Sequence, residues 1–333
     1  MTAATTTPRA TPAPKPASGR RHGTLAALAI IRSNRQGTIG LVILLVFTLI
    51  AVFGPFIVGP IDKPGTFKPL LPPSLQHYFG TDRAGRDLFV TNVWASRVSL
   101  LVGVLASIVA MVIGTAVGIG AGYLGGRWDG WLMAITDFFY VLPTLVLAIV
   151  LAAIMGPSMV NVVLVIAITS WPGTSRVIRS QTLSIRERMF VDRARAYGSS
   201  SSRIMRKQVL PNVMGLVLAN TTLTIAAAIF LETTLSFLGV GPRDTYSWGR
   251  ILEDSFEAGA LTLGLWAWFV PPGVAVVLVV LAFTMIGAAL DEVFDPRLRR
   301  RHGPAPAGAE DVLPMEVTRS AEEAQGVPLS GGD

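Results

Sequence analysis

From Gly37 to Val58 the chain carries no charged residue, and most positions are apolar. In a helix rising about 1.5 Å per residue, such a run crosses a hydrocarbon core of roughly 30 Å. Lipid offers no hydrogen-bond partner to the backbone, so a helix, which satisfies itself internally, is the form this run can take there. A cleavable signal peptide would have a shorter apolar core with a small-residue cut site soon after it, so the run is an uncleaved anchor. Five more runs meet the same criterion, at about Val98–Tyr123, Trp131–Met155, Val160–Ile178, Val213–Leu238 and Leu263–Leu290. The expected fold class is all-α and integral to a membrane, with six transmembrane helices.

Composition agrees. Only 15% of residues are charged and 51% are hydrophobic, whereas soluble domains carry about 25% charged residues. The net charge of +7 would suggest nucleic acid in a soluble protein. In a membrane protein it reflects Lys and Arg held on the cytoplasmic side, and no nucleic-acid partner is expected. The absence of cysteine excludes disulfides, thiolate metal sites and cysteine nucleophiles. Lys15, Lys63, Lys68 and Lys207 do not follow glycine, so there is no phosphate-cradling Gly-Lys loop. His22, His77 and His302 are far apart and form no zinc-binding helix motif. No catalytic, cofactor or metal site is expected in this chain.

Basic residues orient the spans. Arg9, Lys15, Arg20, Arg21, Arg32 and Arg35 precede the first, and Arg297, Arg299, Arg300 and Arg301 follow the last. Both termini are therefore expected in the cytoplasm. Residues 1–36 form a cytoplasmic tail, disordered through Arg21 by its Pro, Thr and Ala content. An interfacial helix follows at Leu25–Ile31. The first span occupies 37–58, and the charge-balanced loop 59–97 lies outside. A five-helix core covers 98–291 and includes a cytoplasmic loop at 184–212; the tail 292–333 is mostly disordered. No internal repeat suggests the inverted halves of many secondary transporters.

Within the second expected span, Gly114, Gly118 and Gly122 form a small-residue stripe suited to close helix packing. Asp137 and Glu232 are acids inside expected spans, where charge is expensive. A proton-coupled secondary carrier would use them. With no basic partner expected inside any span, hydrogen bonding between packed helices is the favoured role.

The loop Asp192–Asn212 carries Arg193, Arg195, Arg203, Arg206 and Lys207 between two apolar runs. Helical composition over Phe190–Ala196 ends at Gly198, which suits a left-handed turn. Ser199–Ser202 offer caps for a second short helix over Arg203–Leu210, which Pro211 closes. The pattern describes a helix–bend–helix on the cytoplasmic surface.

The spacing of Asp192, Ala194, Gly198, Leu210 and Pro211 resembles the "EAA" loop of binding-protein-dependent ABC importer permeases. "FGTDRAGRD" (79–87), "SWPGTSRVIRS" (170–180), "LSFLGVG" (235–241), "SWGRIL" (247–252) and "DPRL" (295–298) resemble its dipeptide/oligopeptide branch, specifically the C-type subunit. The resemblance covers about Gly37–Arg300. It implies the type I importer permease fold, a related second permease subunit in a heterodimer, and cytoplasmic ATPase subunits that hold ATP and Mg. It also implies an extracytoplasmic solute-binding protein and residence in the inner membrane, against lipid. Short peptides are the implied cargo; nickel chelates or haem are alternatives within the same class. Asp192, Arg193, Ala194, Tyr197, Gly198, Leu210 and Pro211 would couple to the ATPase. Asp82, Arg83, Arg86, Asp87, Trp248 and Arg250 are candidates for an external gate or docking surface, with salt-bridged scaffolding as the alternative. The chain departs from the family pattern where Asp192-Arg193-Ala194 replaces Glu-Ala-Ala, and where Thr284, Gly287 and Ala288 replace the usual Asn and Gly-Asp.

Overall fold

Among the described residues, regular structure in this computed structural model is helical, apart from one isolated bridge between Thr81 and Asp87. The structure describes residues 34–294. The expected interfacial helix and most of the tail arginines lie outside the described residues. Helix α1 spans Arg35–Val58, opened by Asn34, whose side chain accepts from the Gln36 N–H. α2 spans Leu88–Leu124. α3 (Gly126–Val141) and α4 (Thr144–Met155) follow, then α5 (Met159–Arg186) and the short α6 (Met189–Ala196). α7 (Ser201–Ile204) runs through a π turn, Met205–Val209, into α8 (Leu210–Phe237). α9 (Trp248–Glu257) and α10 (Trp266–Phe294) complete the described residues.

Five of these units are long and apolar enough to cross a membrane: α1, α2, α5, α7–α8 together, and α10. The third expected span is not one helix. α3 and α4 meet at 89° across Leu142 and Pro143. Proline has no N–H to donate and drives the preceding residue out of the helical region; Leu142 is accordingly extended, with ψ 133. Counting the bent pair as one span gives six.

Two boundaries also moved. α2 begins at Leu88, not Val98, because the Asp87 carboxylate accepts from the Phe89 and Val90 N–H groups and fixes the start there. α5 continues past Ile178 to Arg186. Hydropathy finds the apolar part of a helix, whereas caps set its ends.

α2 is the central post, with buried residues along its whole length. Its glycine stripe lies against α5. A Cβ at Gly114 would meet the Trp171 carbonyl oxygen at 2.8 Å, and one at Gly118 would meet that of Ser175 at 2.6 Å. At Gly122 the Arg179 carbonyl oxygen is 2.9 Å from the same position. The backbones touch, as small-residue packing requires. Apolar clusters sit around this post. One joins α1, α2, α8, α9 and α10 around Trp248 and Trp268; another joins α2, α4, α5 and α8; a third, at the opposite end from Trp248, gathers α6 and the π turn onto α2, α5 and α8; a smaller one joins α2, α3 and α5 around Trp171.

Candidate functional site

The basic loop is a built bend. Gly198 has φ +73, and its N–H donates to the Arg195 carbonyl while Ser199 N–H donates to that of Ala194. This is the Schellman closure of α6, and it uses carbonyls that a helix end leaves without partners. Ser200 then caps α7, accepting from the Arg203 N–H. The second helix departs from expectation. It starts at Ser201 and does not end at Pro211; it continues into α8. The π turn makes this possible. Pro211 donates no N–H, and the extra residue per turn ahead of it shifts the ladder, so that Leu210 N–H reaches the Met205 carbonyl. The Asn212 amide donates to the Gln208 carbonyl within the same turn. The loop is thus one rigid piece with a membrane helix.

Its inner face is anchored and its outer face is free. Val191, Ile204 and Val209 are buried against Tyr123, Ile178 and Ile185, with Ala194 and Leu210 packed at the edge of that cluster. Met189, Asp192, Arg193, Ala196 and Gly198 are exposed, and Tyr197 is 89% exposed. Asp192 pairs with Arg195 at 3.1 Å on this surface, and the Arg195 guanidinium lies 5.4 Å from the Tyr123 ring centroid. Arg186 Nη1 sits 3.5 Å from the carbonyls of Gly122 and Tyr123, a cation at the C-terminal end of α2.

At the other end, five of the six external candidates form a scaffold. Asp82 is buried and accepts from the backbone and guanidinium of Arg86 at 2.9 and 2.7 Å. Asp87 caps α2 and meets His77 Nδ1 at 2.7 Å. Trp248 is fully buried. Arg250 spans Glu253 and Asp254 on α9, each at 3.2 Å. Burial pushes the Asp254 carboxyl above its ordinary value, against the opposing pull of Arg250 and Arg86 and with a further push from Asp82. Glu253 is raised for the same first reason. Arg83 alone of the six is exposed.

The two intramembrane acids part company. Glu232 on α8 is 1% exposed and accepts from Ser99 Oγ at 3.1 Å and Ser236 Oγ at 2.8 Å. Ser99 in turn accepts from the Trp248 N–H, so one carboxyl ties α2, α8 and α9 together. Each of these bonds joins or borders packed helices. Asp137 corrects the expectation that neither acid has a basic partner within a span. Arg176 on α5 donates to it at 2.6 Å, with the guanidinium 3.9 Å from the Tyr140 centroid. The two side chains are 54% and 41% exposed. One turn nearer the loop along α5, Arg179 clamps Asp129 with two bonds of 2.6 Å. Both arginines lie in the "SWPGTSRVIRS" stretch, but nothing in sequence alone pairs them with acids so far away along the chain. A charge at mid-bilayer costs at least about 2.5 kcal/mol, so at that depth an exposed pair is favoured where it meets water or protein and not lipid tails.

Beside it lies a cleft of about 730 Å³, walled by the α3–α4 break, α5 and α8. Tyr140, Thr169, Ser170, Thr174, Asn220 and Thr224 supply its polar surface. Asn220 Nδ2 donates to Thr174 Oγ1 at 3.0 Å, joining α5 to α8 across its floor.

Bundled apolar helices, a polar cleft among them and a rigid bent loop at one end define a multi-pass membrane transport protein. The chain belongs to the family described as binding-protein-dependent transport system inner membrane component, which matches residues 114–300. Residues 26–73 match the N-terminal transmembrane domain of oligopeptide transport permease C. Among its relatives, the dipeptide transport system permease protein DppC of Bacillus subtilis is 38% identical over 81% of this chain and 84% of its own length. The oligopeptide transport system permease protein OppC of the same organism is 34% identical over 82% and 90%. A putative peptide transport system permease protein of Brucella abortus is 35% identical over 85% and 95%. The protein is a multi-pass inner-membrane component of such a system.

Proposed function

We propose that the chain forms half of the translocation pore of an ATP-driven ABC importer for short peptides. Peptide cargo is supported by the dipeptide, oligopeptide and peptide transport names of the relatives above. The other half is a second, homologous permease subunit. Cytoplasmic ATPase subunits hold the ATP and Mg, and an extracytoplasmic solute-binding protein delivers the cargo. The chain itself is a transport subunit, not an enzyme, and both of its termini face the cytoplasm.

The observation that carries this reading is the bent loop, continuous with a membrane helix and presenting an exposed aromatic. A loop that only carried charge would need neither a Schellman closure nor an apolar anchor. Asp192, Arg193 and Tyr197 form the surface offered to the ATPase, and Gly198 sets its angle. Ala194 and Leu210 hold it to the bundle, while Pro211 fixes the turn through which movement passes into α8. Aromatic residues are the commonest anchors of protein interfaces. Arg83 is the candidate contact for the binding protein outside.

The test is purification of the assembled complex carrying Tyr197→Asp. We expect loss of ATPase subunits from the preparation, or loss of the rise in ATP hydrolysis on adding loaded binding protein. Retention of both by this variant would remove the coupling role.

A further inference from the structure

We infer that the Asp137–Arg176 pair is the solute-reading element of this half of the path, opening to take a peptide's α-ammonium on Asp137 and its α-carboxylate on Arg176. This rests on the peptide reading given above. Four observations carry it. The pair is exposed on helices of the bundle, so the surface it occupies is wet or covered by protein. It stands at the mouth of the polar cleft, since Arg176 stacks on Tyr140 and precedes Val177, and both of those line the cleft. None of the cleft's lining residues is charged, so nothing inside it selects a cargo by the charge of its side chains. What the lining offers instead is hydroxyls and one carboxamide, which can donate to and accept from a peptide main chain whatever its sequence.

The chemistry of exchange fits a zwitterion. At 2.6 Å the two groups already neutralise each other. A peptide with free termini replaces one ion pair by two and leaves no group unpaired. A solute with one charged end would pair with only one of the two groups, so it gains one ion pair where a zwitterion gains two. Arginine suits the carboxylate because its planar fork bonds both oxygens. The break at Leu142–Pro143 adds acceptors, since the last carbonyls of α3 have no helical partner there.

The experiment uses the assembled complex in proteoliposomes with its binding protein. The chain has no cysteine, so Thr224→Cys in the cleft reports on that site alone when modification of this chain is followed. Small cationic and anionic thiosulfonates should both react with it. Adding Arg176→Gln should then favour the cationic reagent, and Asp137→Asn the anionic one, each by about tenfold, as a single unpaired charge at a cleft mouth does. No reaction with either reagent, or no change in preference, overturns the inference. Import of a free dipeptide separates reading from scaffolding. If the pair only braces α3 against α5, the double variant Asp137→Asn/Arg176→Gln keeps a neutral hydrogen bond and imports like the parent, and the inference fails. If the pair reads the peptide, the double variant imports as poorly as either single one, with ATPase subunits still retained. Should the parent import no peptide at all, the cargo reading fails, and the reagent preferences still judge whether the pair faces the path.

Discussion

Gly198 holds a conformation that other residues pay heavily to adopt. With φ +73 and no atom within 4 Å of where a Cβ would stand, its constraint is backbone geometry and not crowding. Gly198→Val should therefore cost about 1–2 kcal/mol or more, the penalty for a side chain in the left-handed region. That strain cannot be shared with neighbours, so the Schellman bonds to Arg195 and Ala194 should open. The expected result is a complex that assembles in the membrane but hydrolyses ATP without responding to loaded binding protein. Leu210→Glu should act differently. Leu210 packs at the edge of the Val191–Ile204–Val209 cluster, and a carboxylate there loses an apolar contact. The cost is about 1–3 kcal/mol on the scale of polar groups buried by mutation. Both melting temperatures should therefore fall. Melting temperatures equal to the parent's with loss of coupling would mean that both residues simply touch the ATPase. At this scale the sequence was informative where one residue type has one physical use, as with glycine at a helix end. It was silent where function depends on who meets whom: Asp137 could be recognised as expensive, but its partner comes from a different helix.

Among the elements, α9 carries the clearest pH dependence. Asp254 and Glu253 have folded-state values raised by burial. A carboxyl raised on folding binds its proton more tightly in the native state. Its stabilising contribution is present at low pH and is lost as pH rises from the ordinary carboxylate range through the raised value. The parent complex should therefore lose thermal stability over that window relative to Asp254→Asn, which cannot ionise. Thermal melting of both complexes across the acidic range checks this, and parallel curves would show that Asp254 has no raised value to lose. Helix ends and breaks were legible at this scale to different degrees. Pro143 and Pro211 are the same residue type, yet one breaks a span at 89° and the other is absorbed by a π turn. The difference lies in what surrounds them. Leu142 and Pro143 both leave the helical region, with ψ 133 and 113, whereas the π turn before Pro211 is held by Val209 packed in the cluster below it. Periodicity and hydropathy contain neither fact. Asp87 was available as a cap from its place before an apolar run, but hydropathy alone set the start of α2 too late.

For the whole molecule, orientation is the property on which every other claim of coupling depends. The loop that bears Tyr197 can meet an ATPase only if it lies in the cytoplasm, and the positive-inside rule rests largely on arginines of the two tails and of this loop. α2 separates the external scaffold from the bent loop. Its 37 residues span about 55 Å, more than the thickness of a bilayer with its headgroups. Positions beyond its two ends must then fall on opposite sides. Gln76 precedes its start, Ser202 lies on α7, whose Ile204 packs with Tyr123 near its end, and both Gln76 and Ser202 are exposed. Neither caps a helix, so replacing them with cysteine leaves the architecture alone. In a chain without native cysteine, Gln76→Cys should react with an impermeant thiol reagent applied to spheroplasts whose membrane is intact. Ser202→Cys should react only after permeabilisation. The reverse pattern would turn the molecule over, placing Asp82, Arg83 and Arg250 in the cytoplasm and Tyr197 outside. Reaction of both positions in intact spheroplasts would be graver, because α2 would then not cross the membrane. The packing of α5, α8 and α1 around it could not be that of a spanning bundle.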